Sequence, residues 1–174
     1  MEKELKNILL QEQSRANTDL VVRIIMAHPA LFDTLWSFMF KNEDPLSRRA
    51  AWAADYCAEI NPEFLINKIG RLSSGLVNFS SDGLKRHALR MISRSDLPKD
   101  ELGILADTCF NWLQSDNESI AVKVHCMVIL KKISDNIPEI RRELYDIIEI
   151  QMNEASSGFR NTGKKILKSL IFRN

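Results

Sequence analysis

Three histidines, three cysteines and a scatter of carboxylates are the side chains with which metal binding, nucleophilic attack or acid–base chemistry would be built in this sequence. His28, His87 and His125 fall in three separate segments, and no H-x-x-E-H or H-E-x-x-H spacing brings two of them onto one helix face. His125 and Cys126 are neighbours, so on a helix they point about a hundred degrees apart and cannot close on one ion. Cys57, Cys109 and Cys126 are odd in number and form no C-x-x-C pair, which suits reduced thiols. The six glycines make neither a G-x-G-x-x-G nor a G-x-x-x-x-G-K-[ST] phosphate cradle. Asp55 with Glu59, and Glu139 with Glu143, stand one turn apart as an acid and base would, but solvated helix faces produce that spacing constantly. The expectation is therefore a protein that is not an enzyme and has no metal and no cofactor.

What remains to carry a function is positive charge. Arg86, Arg90 and Arg94, then Lys123 and Lys131 with Met127 between them, then Arg160, Lys164 and Lys168 lie four residues apart, which puts each set on one side of a helix. If three such helices stack in register, these eight residues form one patch, with Lys132 and Lys165 at its margin. Acidic residues gather elsewhere, at Asp100, Glu101 and Asp107 and at Glu139, Glu143, Asp146, Glu149 and Glu154. With 24 basic against 23 acidic side chains, the total charge of +1 points to neither nucleic acid nor membrane. Segregation is what matters: a neutral total conceals a basic inner face and an acidic outer one.

The elements that must position these charges are helices. The 174 residues, 45% of them hydrophobic, suffice for one folded unit with a sizeable core. No apolar run approaches the roughly 18 residues of a membrane span, and Met1 to Leu10 alternate charge with leucine rather than forming a signal peptide, so the chain reads as soluble and cytoplasmic. All five prolines, Pro29, Pro45, Pro62, Pro98 and Pro138, sit where a helix would begin, with Asp44 and Asn61 as capping side chains. Apolar residues recur at intervals of three and four, as in Leu31, Phe32, Leu35, Trp36 and Met39, and no alternation of period two persists. Polar breaks at Ser14 to Thr18, Lys41 to Asp44, Ser80 to Gly83, Ser115 to Ser119 and Glu154 to Gly158 complete a set of about ten helices.

These helices repeat. Arg49, Arg86, Lys123 and Arg160 recur every 37 residues, and six positions after each stand Asp55, Ile92, Ile129 and Ile166. The stretch from Asn117 to Ile133, with a turn residue at Asn117, an aliphatic and basic pair at Val122 and Lys123 and small and leucine-like positions after it, resembles the second half of a HEAT repeat. The resemblance covers residues 1–174 as a single HEAT-like domain of five helix pairs, at about 2–28, 29–60, 62–96, 98–134 and 137–172. It implies an all-α fold, a right-handed α-α superhelix of the HEAT or armadillo kind, with a concave face built by helices that begin near Asp19, Pro45, Gly83, Glu118 and Phe159. Gly163 departs from the pattern, standing where a packed side chain is expected. The apolar positions of the last helix, Phe159, Ile166, Leu167, Leu170, Ile171 and Phe172, cap the stack or dock another copy.

The segment LSRRAAWAADYC, residues 46 to 57, is explained within this scheme. Arg49 is the basic residue of the repeat position, which in such families bonds a turn residue, here Glu43 or Asp44. Ala50, Ala51, Ala53 and Ala54 let neighbouring helices approach, and Trp52 belongs to the core. The first functional reading is a non-enzymatic binding or scaffold module that recognises a protein or an acidic segment with Arg86, Arg90, Arg94, Lys123, Lys131, Arg160, Lys164 and Lys168. Exchange of Arg90, Arg94, Lys131 and Lys164 for glutamate is expected to remove partner capture and leave stability nearly unchanged. The alternative is nucleic-acid binding through the same face; no membrane partner is expected. A remote third is an enzyme: Trp52, Asp55 and Tyr56 resemble the aromatic and carboxylate set with which HEAT-like enzymes excise alkylated bases from DNA. The chain is short for that family, and its amino-terminal helices are not found here.

Overall fold

The computed structural model describes residues 1–171 and contains ten α-helices, with no strand among them. They are α1 (Glu2–Gln11), α2 (Arg15–Ala27), α3 (Leu31–Met39), α4 (Leu46–Ile60), α5 (Ile69–Gly75), α6 (Asp82–Arg94), α7 (Leu102–Gln114), α8 (Ile120–Ser134), α9 (Arg141–Gln151) and α10 (Ser157–Ile171). Each odd helix packs on the even helix that follows it. The even helices also pack on one another in chain order, α2 on α4, α4 on α6, α6 on α8 and α8 on α10. This is the two-layer α-α solenoid that the repeat implies: a lone pair leaves one face uncovered, and stacking covers it. The apolar core runs without interruption from Leu5 to Leu170. Phe172, assigned to the terminal stripe, lies outside the described residues.

Serines open most of the even helices. Ser14, Ser81, Ser119 and Ser156 each accept a hydrogen bond from the backbone N–H three residues on, those of Asn17, Leu84, Val122 and Phe159. Each satisfies an N–H that the first turn leaves without an intrahelical partner. At Ser14 this moves a boundary: α2 begins at Arg15 rather than near Asp19, because the polar run 14–18 is a cap plus a first turn instead of a break. Asn17 is buried there and donates to Ile8 O at 2.8 Å and Glu12 O at 3.1 Å, closing the α1–α2 turn. The prolines open shorter elements than expected. Pro62 and Pro138 start single 3-10 turns, and only Pro45 abuts an α-helix directly.

The third pair is the irregular one. Its outer member is a 3-10 turn at Pro62–Leu65, then Asn67 at φ 59°, then the seven-residue α5. Asn67 tolerates the left-handed region better than most residues, and Gly70, Ser73, Ser74 and Gly75 are weak helix formers. Gly75 also sits under Phe40, whose Cε1 would lie 2.9 Å from an added Cβ. Gly163 has a similar reason. A Cβ there would stand 2.8 Å from Met152 Sδ and 3.2 Å from Ile148 Cγ2, so α10 crosses α9 at the one place without a side chain.

Candidate functional site

The 37-residue register governs burial. Asp55, Ile92, Ile129 and Ile166 hold the same position on α4, α6, α8 and α10, and all four are buried, Asp55 completely. A carboxylate in an isoleucine position must be compensated, and α6 compensates it. His87 Nδ1 and Arg90 Nη1 each bond Asp55 Oδ2 at 2.9 Å, while Arg94 Nη2 bonds Asp55 Oδ1 and, at 3.1 Å, the Asp55 carbonyl. Since a carboxylate only accepts, the His87 proton sits on Nδ1. Glu59, one turn on, receives Arg90 Nη2 at 2.9 Å and Arg94 Nη1 at 3.5 Å. Burial works against the Arg90 charge, but Asp55 and Glu59 outweigh it and raise the guanidinium pKa.

Aromatic rings frame this clamp. Trp52 stacks on His87 with centroids 6.1 Å apart, and Tyr56 meets Trp52 edge-on at 6.2 Å. Arg15 lies over the Tyr56 ring at 4.5 Å and donates to its hydroxyl. His125, from α8, stands on the third side. Burial first and Arg90 next depress its pKa, Asp55 opposes them, and Arg86 and His87 add smaller depressions. Trp52 is therefore half-buried at an edge rather than a core residue. Asp55, the carboxylate of the base-excision resemblance, has both oxygens engaged and no exposed surface, so a substrate would have to displace two arginines to reach it.

The eight cations of the sequence pattern divide into two groups. Arg90 and Arg94 are committed to Asp55 and Glu59, Lys131 pairs with Asp135 on its own helix at 2.7 Å, and Arg160 donates to Ala155 O at 2.9 Å. The marginal Lys132 bonds Ser95 O, across one repeat. Arg86, Lys123, Lys164 and Lys168 form no side-chain hydrogen bond or ion pair among the described residues; Arg86, Lys164 and Lys168 are exposed, and Lys123 lines a groove of about 430 Å³ with Phe159 and Glu154. Glutamate at Arg90 and Arg94 would place negative charge against buried Asp55, so the expectation that this exchange spares stability does not hold.

Arg49 has a structural bond with another partner than expected. It donates from Nη1 to Leu9 O at 2.9 Å, satisfying a carbonyl in the last turn of α1, while its neighbour Arg48 takes Asp44 at 2.9 Å. Ala50, Ala51, Ala53 and Ala54 are all buried where α4 meets α2, α3 and α6. The cysteines are buried too. Burial pushes the Cys57 thiol up to about 12, and burial with a bond to Cys126 raises Cys109. Among the described residues no three His, Cys, Asp or Glu side chains are grouped to hold a metal ion, and no helix is long and apolar enough to cross a membrane.

The Asp55 clamp was open to sequence reasoning through one signal. Asp55 alone breaks the isoleucine column, and Arg90 and Arg94 follow it by 35 and 39 residues, about one repeat later.

Two layers of paired helices, a fixed register and a core shared between neighbours define an α-helical repeat protein. A family model described as HEAT repeat domain matches residues 5–170, and the chain belongs to that family. Neither the curated proteins nor the solved structures compared with the chain give a match. HEAT repeat domains generally mediate protein interactions.

Proposed function

We propose that this protein is a non-enzymatic binding module whose even-helix layer receives an acidic segment of a protein partner. The observation that carries the reading is the set of cations on α8 and α10 that form no side-chain bond among the described residues: Lys123, Lys164 and Lys168. Lys164 and Lys168 follow Ile129 by the intervals at which Arg90 and Arg94 follow Asp55. Where the earlier pair meets a carboxylate, the later pair meets isoleucine, and its charge stays available to something outside the chain. The outer helices α7 and α9 carry Asp107, Glu143 and Glu149, all exposed, so an acidic partner is directed to one layer and repelled from the other.

The test is fluorescence anisotropy with a labelled glutamate-rich peptide at low and at physiological salt. The expected result is binding that weakens with salt and disappears in the Lys123→Glu, Lys164→Glu, Lys168→Glu triple variant, with the melting temperature unchanged. Equal binding by the variant would remove these lysines from the account. A labelled DNA duplex in the same titration examines nucleic acid as the partner. Tight duplex binding with a steep salt dependence, and none to the peptide, would replace the protein reading with that one.

A further inference from the structure

A second concentration of positive charge lies at the amino-terminal ends of α4 and α6, apart from the lysines of α8 and α10. There Arg48, Arg49 and Trp52 from α4, Arg86 and His87 from α6, and Gln13 from the α1–α2 turn line a cavity of about 120 Å³. The cavity is small and opens to solvent, which suits one compact tetrahedral oxyanion with the rest of its molecule outside. Arg48, Arg49 and Arg86 all line this cavity, and one carboxylate, Asp44, holds the Arg48 guanidinium. Arg86 has no partner among the described residues. Arg49 spends Nη1 on Leu9 O. Like charges around one small space repel, and an anion in the cavity relieves that cost.

The backbone shapes the site for Arg48. Gly83 lies on the first turn of α6 against the Arg48 stem, where a Cβ would come within 2.6 Å of Arg48 Cδ. Glycine at this position lets the Arg48 stem lie along α6, beside Arg86. His87 is held by Nδ1 on Asp55, so the ring is fixed at the cavity wall, and Trp52 stacked upon it forms an apolar side.

We infer that this cavity is a binding site for a phosphate monoester, such as a phosphorylated serine or threonine side chain. Three arginines against one aspartate leave two positive charges, which matches the charge of about −1.5 to −2 that a phosphate monoester carries at neutral pH. A backbone phosphodiester brings only one charge to meet those two. The guanidinium forks supply the paired donors that phosphate oxygens accept.

The experiment is a titration of the isotope-labelled protein, followed through the Arg49 Nε and Trp52 Nε1 cross-peaks in nitrogen–proton correlation spectra. The probes are inorganic phosphate, a phosphoserine peptide and its unphosphorylated counterpart. The expected result is saturable shifts of both cross-peaks with the phosphopeptide and none with the counterpart. Arg86→Gln, which disturbs no internal bond, should weaken phosphopeptide binding roughly tenfold or more, the loss of one charge-assisted contact, and leave the melting temperature unchanged. Saturable shifts with inorganic phosphate alone, again lost in Arg86→Gln, would support the site and assign it to small phosphate compounds. No shift with either phosphate probe, or binding indifferent to Arg86→Gln, would overturn the inference. So would a DNA duplex that shifts the same cross-peaks while both phosphate probes do not. Failure here leaves the lysine surface untouched, because Lys123, Lys164 and Lys168 do not line this cavity.

Discussion

The α4–α6 contact and the α8–α10 contact are the same joint built twice with different chemistry. Both place an even helix on the next even helix, and in both a buried residue at one repeat position faces two cations one repeat later. At α4–α6 the buried residue is Asp55 and the cations Arg90 and Arg94 are drawn inward, about 31 and 32% exposed. At α8–α10 the buried residue is Ile129, and Lys164 and Lys168 remain at the surface. The α6–α8 joint lies between them: Ile92 is buried, and Met127 and Lys131 occupy the two later positions. A stripe of cations in sequence is thus not a stripe of available charge. For Arg90 and Arg94 the deciding residue is Asp55 of the preceding repeat, while Lys131 and Arg160 are spent within their own.

The largest effect should come from moving the aspartate. Ile92→Asp buries a carboxylate opposite Met127 and Lys131; Lys131 is already held by Asp135, so the new charge lacks a second cation and should lower the melting temperature furthest. Ile129→Asp places the same group opposite Lys164 and Lys168, and should fold with a reduced melting temperature. Circular dichroism melts of the two variants decide the matter, and equal damage would break the equivalence of the joints. Next comes the clamp itself. Arg90→Ala with Arg94→Ala leaves Asp55 buried with only His87, and should cost about 3–5 kcal/mol in urea unfolding. Adding Asp55→Ile to that pair should restore much of the loss, because the clamp then has nothing to clamp. No rescue would mean that the arginines stabilise the joint for another reason.

The smallest effect concerns pH. His125 faces Arg90, Arg86, His87 and Asp55, and its folded-state pKa is depressed, chiefly by burial. A depressed pKa means that the unfolded chain binds the proton first. The destabilisation therefore begins as pH falls through the unfolded value of about 6.5, and stops growing below the folded value. His125→Gln should flatten the fall in melting temperature between neutral and mildly acidic pH. An unchanged slope would remove His125 from the account of that dependence.

Much of this molecule was legible along the chain. The periods of three and four, the prolines and the 37-residue recurrence of Arg49, Arg86, Lys123 and Arg160 locate five helix pairs, because helix geometry and stacking register are both one-dimensional rules. Errors arose where a residue's role depended on a neighbour not adjacent in sequence. Thr18 reads as part of a break but lies in the first turn of α2, behind the Ser14 cap. Trp52 reads as core from its size, yet stands half-buried at an edge, with His87 stacked on its ring. Arg49 reads as a partner of Glu43 or Asp44, yet Arg48 takes Asp44 and Arg49 reaches Leu9 O.

By itself the sequence determined that this chain is a stack of paired helices and which faces those helices turn to one another, since apolar spacing and repeat length act locally and additively. Only the tertiary structure decided which cations are free. An ion pair depends on distance across a helix interface: the repeat brings Arg94 near Asp55, 39 residues back, but only the packed helices show that the two are bonded. The same holds for the cavity at Arg48, Arg49 and Arg86: it exists because Gly83 lets the Arg48 stem lie against the first turn of α6.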